Sequence, residues 1–200
     1  MGVAAGKGAT ARWGVWTGRF QPFHRGHLAL IEQAFATWGL PQWVCIAVSG
    51  PCKLPPAVHD RLGERLDRDY ASQHMPFSPP ERLEMARLSL LSCSRREEVT
   101  LTLSPHYTYP GVLETFYPSN SVILLTNKDA SDLEKRRVWE AMGYEVWALD
   151  IEAVGVLTGT EIRRRVRSGS DLQEYIVPSA WRYFVSIKGP ERMMAGETSA

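Results

Sequence analysis

Two histidines, two glycines and two arginines are concentrated in one short segment, GRFQPFHRGH at residues 18–27. At this chain's frequencies of His and Gly, the H-x-G-H pattern of His24, Gly26 and His27 would arise by chance only about 0.01 times. His24 and His27 lie three residues apart, so at the start of a helix they would share one face. Imidazoles there, with free backbone N–H groups and the positive end of the helix dipole, suit a chain of phosphates. Gly26 would let a phosphate approach the backbone, and Arg19 would add a forked donor.

A second candidate anion site lies in LTGTEIRRR, residues 157–165. If Thr158 caps a helix, the N–H groups of Gly159 and Thr160 point outward and Arg163 follows one turn along, which suits terminal phosphates. The alternative is a helix cap followed by a solvated basic face. The remaining arginines of this segment are assigned to that face: Arg164, Arg165 and Arg167.

The elements that must position these segments follow from hydrophobic periodicity. Five β-rich runs predict strands at 14–18, 43–49, 99–104, 121–126 and 144–149, and apolar stripes predict helices at 27–38, 80–91, 131–142, 160–167 and 179–187. Ser78, Ser131 and Thr158 match helix-capping patterns. Strands alternating with helices predict an α/β, Rossmann-like fold: a five-stranded, mostly parallel sheet with helices on both faces. Such sheets bind ligands beyond the carboxyl ends of their strands, so the end of the first strand is the expected site.

Length and composition are those of one globular domain. The 200 residues are 44% hydrophobic and 22% charged, which excludes collagen-like, coiled-coil and disordered chains. With 23 basic and 22 acidic residues, no overall field attracts nucleic acid or a membrane, and no apolar run reaches the roughly 18 residues of a membrane span. Three cysteines without C-x-x-C spacing predict neither disulfides nor a zinc site, and they favour the cytoplasm.

We predict a single domain over residues 13–188. Residues 1–12, which lack the apolar stretch of a signal peptide, and residues 189–200 are predicted to be flexible tails. Residues 51–77 are predicted to form a long insertion, which could be a lid, an oligomer contact or a plain surface loop.

The two motifs together resemble the signatures of the H-x-G-H nucleotidylyltransferases, GRFQPxHxGH and ISxTxxR. Within that superfamily the sequence is most similar to the archaeal nicotinamide-nucleotide adenylyltransferases. Further similarity lies in PFSPPERLEM (residues 76–85), in GYEV (143–146) and in the last helical segment. The resemblance extends over about residues 13–192.

This resemblance implies that the 5′-phosphate of a substrate attacks the α-phosphate of ATP and releases pyrophosphate, with Mg²⁺ bridging the nucleotide phosphates. A phosphate monoester is already mostly a dianion near neutral pH, so no protein nucleophile is required. By match to the motifs, His24 and His27 would bind the α- and β-phosphates, and Arg163 with Thr160 would bind the β- and γ-phosphates. Arg19 would bind a phosphate of the acceptor or of ATP. The catalytic groups implied are thus His24, His27, Arg19 and Arg163. The other implied nucleotide contacts are Gly18, Phe20, Gly26, Thr126, Asn127 and Thr158. No side chain is expected to ligate a metal.

The implied acceptor is nicotinamide mononucleotide, and the implied assembly is a homo-oligomer, commonly a hexamer. Tyr107 or Tyr109 could stack on the pyridine ring of this acceptor or simply pack in their loop. Arg82 is a further candidate contact to the acceptor. The family's T-G-N is replaced here by Thr126-Asn127-Lys128. Two alternatives therefore stay open: CTP or ATP with another small phosphate or phosphonate acceptor, and a non-catalytic nucleotide-binding sensor.

Overall fold

A computed structural model describes residues 13–38, 43–49, 76–104, 117, 121–127, 130–141, 143–154 and 158–195. In these ranges the strands are β1 (Trp13–Gly18), β2 (Trp43–Ser49), β3 (Val99–Ser104), β4 (Val122–Thr126) and β5 (Glu145–Leu149). They form one sheet in the order β3-β2-β1-β4-β5, and every neighbouring pair is parallel. The predicted α/β fold is confirmed, and the predicted strand ends are correct to within a residue.

Helices connect and cover these strands. They are α1 (Arg25–Trp38), α2 (Pro79–Leu90), α3 (Ala130–Ala141), α4 (Ile151–Val154), α5 (Gly159–Arg167), α6 (Pro178–Ser186) and α7 (Gly189–Ala195). Helix α1 joins β1 to β2 while α3 joins β4 to β5, so the two crossovers run in opposite directions along the sheet. Right-handed connections therefore place α1 and α3 on opposite faces, and the strand order reverses between β1 and β4. A cleft is expected at the carboxyl ends of those two strands.

The predicted helix caps have three different outcomes. Ser78 forms a complete capping box, since its Oγ accepts from the Glu81 N–H and its own N–H donates to Glu81 Oε2 at 2.7 Å. Thr158 Oγ1 accepts from the Glu161 N–H at 3.2 Å, but the Glu161 carboxylate turns to arginines of its own helix. The Ser131 cap is wrong, because α3 already begins at Ala130.

The flexible tail predicted from residue 189 is wrong for residues 189–195, which form α7. Gly189 and Met193 are buried, and Arg192 binds both carboxylate oxygens of Glu81, at 2.7 and 2.9 Å. This arginine holds the pKa of Glu81 at about 2, and it also donates to the Pro76 carbonyl. A seven-residue helix is too short for its periodicity to stand out in a sequence, and its partners are distant in the chain. The other predicted tail (residues 1–12), the rest of this one (residues 196–200) and residues 51–75 of the insertion lie outside the described residues.

The hydrophobic core reaches into the predicted site segment. Phe20 and Phe23, from the loop after β1, belong to the same buried cluster as Ile31 of α1, Leu149 of β5 and Phe184 of α6. Burial of such side chains contributes roughly 1.5–3 kcal/mol each, so the loop is anchored by the core itself. Its conformation is therefore part of the fold.

Candidate active site

A cavity of about 180 Å³ lies at the carboxyl ends of β1 and β4, where the strand order reverses. The predicted residues that it brings together are Gly18, Arg19, Phe20, His24, His27, Thr126, Thr158 and Arg163. Gly159, whose N–H was assigned to the second anion site, also lines it, and the lining residues that sequence reasoning missed are Trp16, Gln21, Leu30, Lys135 and Ile151.

Other predicted residues do not line this cavity. Gly26 is buried behind it, Asn127 accepts from the Ile151 N–H at 3.3 Å, and the fully buried Arg82 donates to the Arg19 carbonyl at 2.7 Å. Tyr107, Tyr109 and the side chain of Thr160 lie outside the described residues. The roles predicted for these side chains remain predictions.

Helix α1 begins with a reciprocal cap made by its two histidines. His24 Nδ1 accepts from the Gly26 N–H at 3.1 Å, and His27 Nδ1 accepts from the His24 N–H at 3.2 Å. This is the arrangement of a capping box, with imidazole nitrogens in place of the hydroxyl and carboxylate oxygens. The H-x-G-H spacing therefore has a structural reason as well as a chemical one.

This cap changes which groups can bind an anion. The Arg25 N–H donates to the Tyr175 carbonyl at 2.8 Å and the His27 N–H to the His24 carbonyl at 2.9 Å, so the first-turn amides of α1 are all engaged within the protein. The expectation of free backbone N–H groups at this helix start is wrong. Because each Nδ1 accepts a hydrogen bond, each neutral ring carries its proton on Nε2. The buried His24 Nε2 has no hydrogen-bond partner among the described residues, so it is the donor available to a ligand.

Aromatic rings enclose the histidine pair and keep it uncharged. The rings of Trp16, Phe20 and Phe23 lie 5.0–5.5 Å from that of His27, which stacks on His24 at 3.7 Å. Burial first, and then the positive charge of Arg163, lowers the pKa of His24 from 6.5 to about 3. Burial, followed by the neighbouring His24, holds the pKa of His27 well below 6.5. Both imidazoles are therefore neutral hydrogen-bond donors at physiological pH.

A pH dependence of stability follows from these shifts. The folded-state pKa values of both histidines lie below the unfolded value of about 6.5. Below that pH the unfolded chain therefore binds protons that the folded chain does not bind, and the free energy of unfolding falls. We expect a slope of up to about 1.4 kcal/mol per pH unit for each imidazole between pH 6 and 5. Urea unfolding at several pH values measures it. An equal slope in wild type and in a His24→Asn variant would contradict the assignment.

Gly18 is required by the packing of Phe20. A Cβ on Gly18 would lie 2.8 Å from the Phe20 ring, closer than such atoms approach in proteins. Phe20 itself adopts a positive φ of 48°, which turns the chain back over the end of β1. Arg19 and Gln21, on either side of Phe20, both line the cavity.

Gln21 ties the loop after β1 to the segment before α2. Its side-chain amide donates to the Phe77 carbonyl at 3.1 Å and accepts from the Phe77 N–H at 3.2 Å. The Gln21 carbonyl in turn accepts from Arg163 Nη1 at 3.4 Å. With Arg82 on the Arg19 carbonyl, these bonds fix the loop backbone from two sides. Positioning of this kind is what phosphoryl-transfer sites need most.

The cavity is positively charged. Arg19, Arg163 and Lys135 line it, and its described lining includes no carboxylate. Helix α5 adds the N–H groups of its first turn at Gly159, beside Arg163. Within the described ranges, no group of three or more His, Cys, Asp or Glu side chains is placed to hold a metal ion. The arrangement suits an anion with several phosphates, bound by neutral and cationic donors.

Comparisons with known proteins agree with this site. The cytidylyltransferase-like family model matches residues 15–62. The nicotinamide-nucleotide adenylyltransferases of Pyrococcus abyssi and Pyrococcus horikoshii are 26% and 27% identical over 184 residues, covering 90% of this chain and 86% of theirs. That of Saccharolobus solfataricus is 26% identical and covers 90% and 94%. A crystal structure from Vibrio parahaemolyticus, described as a nicotinate-nucleotide adenylyltransferase, matches with a TM-score of 0.52 at 13% identity over 92% of this chain and 96% of that one. This last likeness shows the fold.

The fold, its cavity at the strand-order reversal and these relatives define an enzyme of the nucleotidyltransferase class. Across 90% of its length the chain is similar to the archaeal nicotinamide-nucleotide adenylyltransferases, and its residues 15–62 match the cytidylyltransferase-like family model. None of the helices in the described ranges is long and apolar enough to cross a membrane.

Proposed function

We propose that this protein transfers AMP from ATP to the 5′-phosphate of nicotinamide mononucleotide, giving NAD and pyrophosphate. The observation that carries the proposal is the pair of neutral imidazoles, His24 and His27, fixed beside Arg163 and Arg19 in a cavity whose described lining has no carboxylate. The relatives' activity supports the choice of substrates.

The chemistry needs positioning and charge stabilisation, with no covalent intermediate. An acceptor phosphate oxygen forms a bond to the α-phosphorus while the bond from that phosphorus to the bridging oxygen breaks, and the electron pair leaves with pyrophosphate. Neutral Nε2–H groups donate to phosphate oxygens without gaining or losing a proton. Arg163 and the first turn of α5 then stabilise the charge that grows on the leaving pyrophosphate.

Magnesium enters this proposal as part of the substrate, the Mg²⁺ complex of ATP. The described residues offer no cluster of ligands for direct coordination by the protein, so no step is assigned to a protein-bound metal. Mg²⁺ commonly binds through substrate phosphates with few protein ligands.

The direct test is incubation of the purified protein with Mg²⁺, ATP and nicotinamide mononucleotide. NAD and pyrophosphate are expected in equal amounts. Parallel reactions with CTP in place of ATP, and with other small phosphates and phosphonates in place of nicotinamide mononucleotide, test the alternative substrates. The match to the cytidylyltransferase-like family model is the reason to include CTP. Turnover only in those reactions would contradict the proposed substrates, and nucleotide binding without any turnover would indicate a sensor.

Two neighbouring arginines make this test specific to the cavity. Arg163 lines it, whereas Arg164 is 63% exposed and forms an ion pair with Glu161 at 2.6 Å. Arg163→Met is expected to lower kcat by about 100-fold, because a donor to the leaving group is lost. Arg164→Met is expected to leave kcat unchanged. Equal losses in both variants would mean that the basic face of α5, and not the cavity, binds the substrate.

A further inference from the structure

One charged side chain of the cavity has no part in the proposed reaction. Lys135 of α3 lines the cavity, and its side chain is one third exposed. Its Nζ lies 3.0 Å from Asp132 Oδ1, and Asp132 is only 4% exposed. A buried carboxylate thus fixes the direction of a flexible lysine. An ammonium group has three N–H donors, so two others are left to face the cavity.

The same carboxylate also orients Thr126. Thr126 Oγ1 donates to Asp132 Oδ2 at 2.5 Å, and Thr126 lines the cavity. Because the hydroxyl hydrogen is directed to Asp132, the hydroxyl faces a ligand as an acceptor. Asp132 therefore presents two complementary groups side by side: an acceptor from β4 and a donor from α3.

This pair of groups restricts what can bind between them. A phosphate group offers only acceptors and would set its lone pairs against those of Thr126. An amino group offers only donors and would oppose Lys135. Adjacent hydroxyl groups can donate to the first and accept from the second. The vicinal diol of a ribose has that chemistry.

The position of the pair agrees with a ribose. The register of β1 and β4 pairs Gly14 with Val122 and Val15 with Ile123, and the far ends of both strands, Gly18 and Thr126, line the cavity. Thr126 therefore lies at the end of the strand next to the one whose loop carries the phosphate donors. In a nucleotide, the ribose is the part bonded directly to the phosphates, and the base lies farther out.

We propose that Lys135 and Thr126, both oriented by Asp132, bind the ribose hydroxyls of the nucleotide substrate and so determine its preference for ribonucleotides. This inference rests on the proposed function for the presence of a nucleotide, but it does not depend on the acceptor or on the base. Lys135 is thereby a specificity residue, and Asp132 is a positioning residue.

The experiment measures equilibrium binding by calorimetry in the absence of acceptor. The Mg²⁺ complexes of ATP, 2′-deoxy-ATP and 3′-deoxy-ATP are titrated into wild type and Lys135→Met. In wild type, loss of the contacted hydroxyl is expected to raise Kd by about tenfold, the effect of one hydrogen bond to a charged group. Lys135→Met is expected to raise Kd for ATP by a similar factor and to bind the deoxynucleotide that lacks the hydroxyl contacted by Lys135 no more weakly than ATP.

Arg136→Met is the matched control, because Arg136 neighbours Lys135 on α3, is exposed, and forms an ion pair with Glu140 at 2.7 Å. It should keep the wild-type Kd values and their discrimination. Three outcomes would overturn the inference: Lys135→Met keeps the wild-type discrimination, it loses discrimination between ATP and CTP instead, or it weakens inorganic triphosphate as strongly as ATP. Normal discrimination in a protein that makes no NAD would overturn the proposed function alone.

Discussion

Replacement of His24 by asparagine is expected to lower kcat by about 100-fold or more while the fold stays intact. The asparagine Oδ1 can take the place of Nδ1 and accept from the Gly26 N–H, so the cap of α1 is retained. The donor at Nε2, which has no partner among the described residues, is lost. A donor aimed at charge that develops in the transition state typically contributes that much to the rate. Steady-state rates and thermal unfolding of the same samples measure both effects.

His24→Ala is the matched comparison for this prediction. Alanine removes the donor and the cap together, so the same loss of kcat should come with a fall of about 1 kcal/mol in stability. A His24→Asn variant with normal kcat would exclude His24 from the chemistry. If the asparagine variant lost as much stability as the alanine variant, the reciprocal cap would be wrong.

Met193→Ala is expected to destabilise the protein by about 2–5 kcal/mol, as for other large buried side chains. Met193 of α7 is 5% exposed and belongs to the main hydrophobic cluster, so its truncation leaves a cavity there. Met194, the next residue, is 48% exposed, and Met194→Ala should change stability by less than about 0.5 kcal/mol. Urea unfolding of both variants measures the difference. Small and equal effects would mean that the chain beyond residue 188 is a loose tail after all.

Helix α7 is linked to the loop after β1, which lines the cavity. Arg192 donates to the Pro76 carbonyl and lies over the Phe77 ring, and the Phe77 backbone exchanges two hydrogen bonds with the side-chain amide of Gln21. Gln21 lies in the loop that carries Arg19 and His24. Helix α7 thus supports the site through three packed segments, although none of its described residues lines the cavity.

Most of the architecture was predictable from the sequence because it depends on local patterns. Alternating β-rich and helical runs specify a parallel α/β sheet, and turn and cap residues mark most element ends. The predicted Ser131 cap failed because α3 begins at Ala130, which places Ser131 inside the helix. The first turn of α3 also makes a tertiary contact that no local pattern indicates, the hydrogen bond from Thr126 of β4 to Asp132.

The sequence by itself determined the two motifs, the sheet that carries them and the class of chemistry, because these depend on residue types at fixed spacing. Only the tertiary structure decided how the groups are used. It engaged the amides of α1 with the imidazoles of His24 and His27, and it buried Arg82 beneath the loop. It also brought Lys135 into the cavity beside Thr126. The physical reason is that hydrogen-bond partners and burial depend on segments distant in the chain, and no local spacing encodes which of two possible donors reaches the ligand.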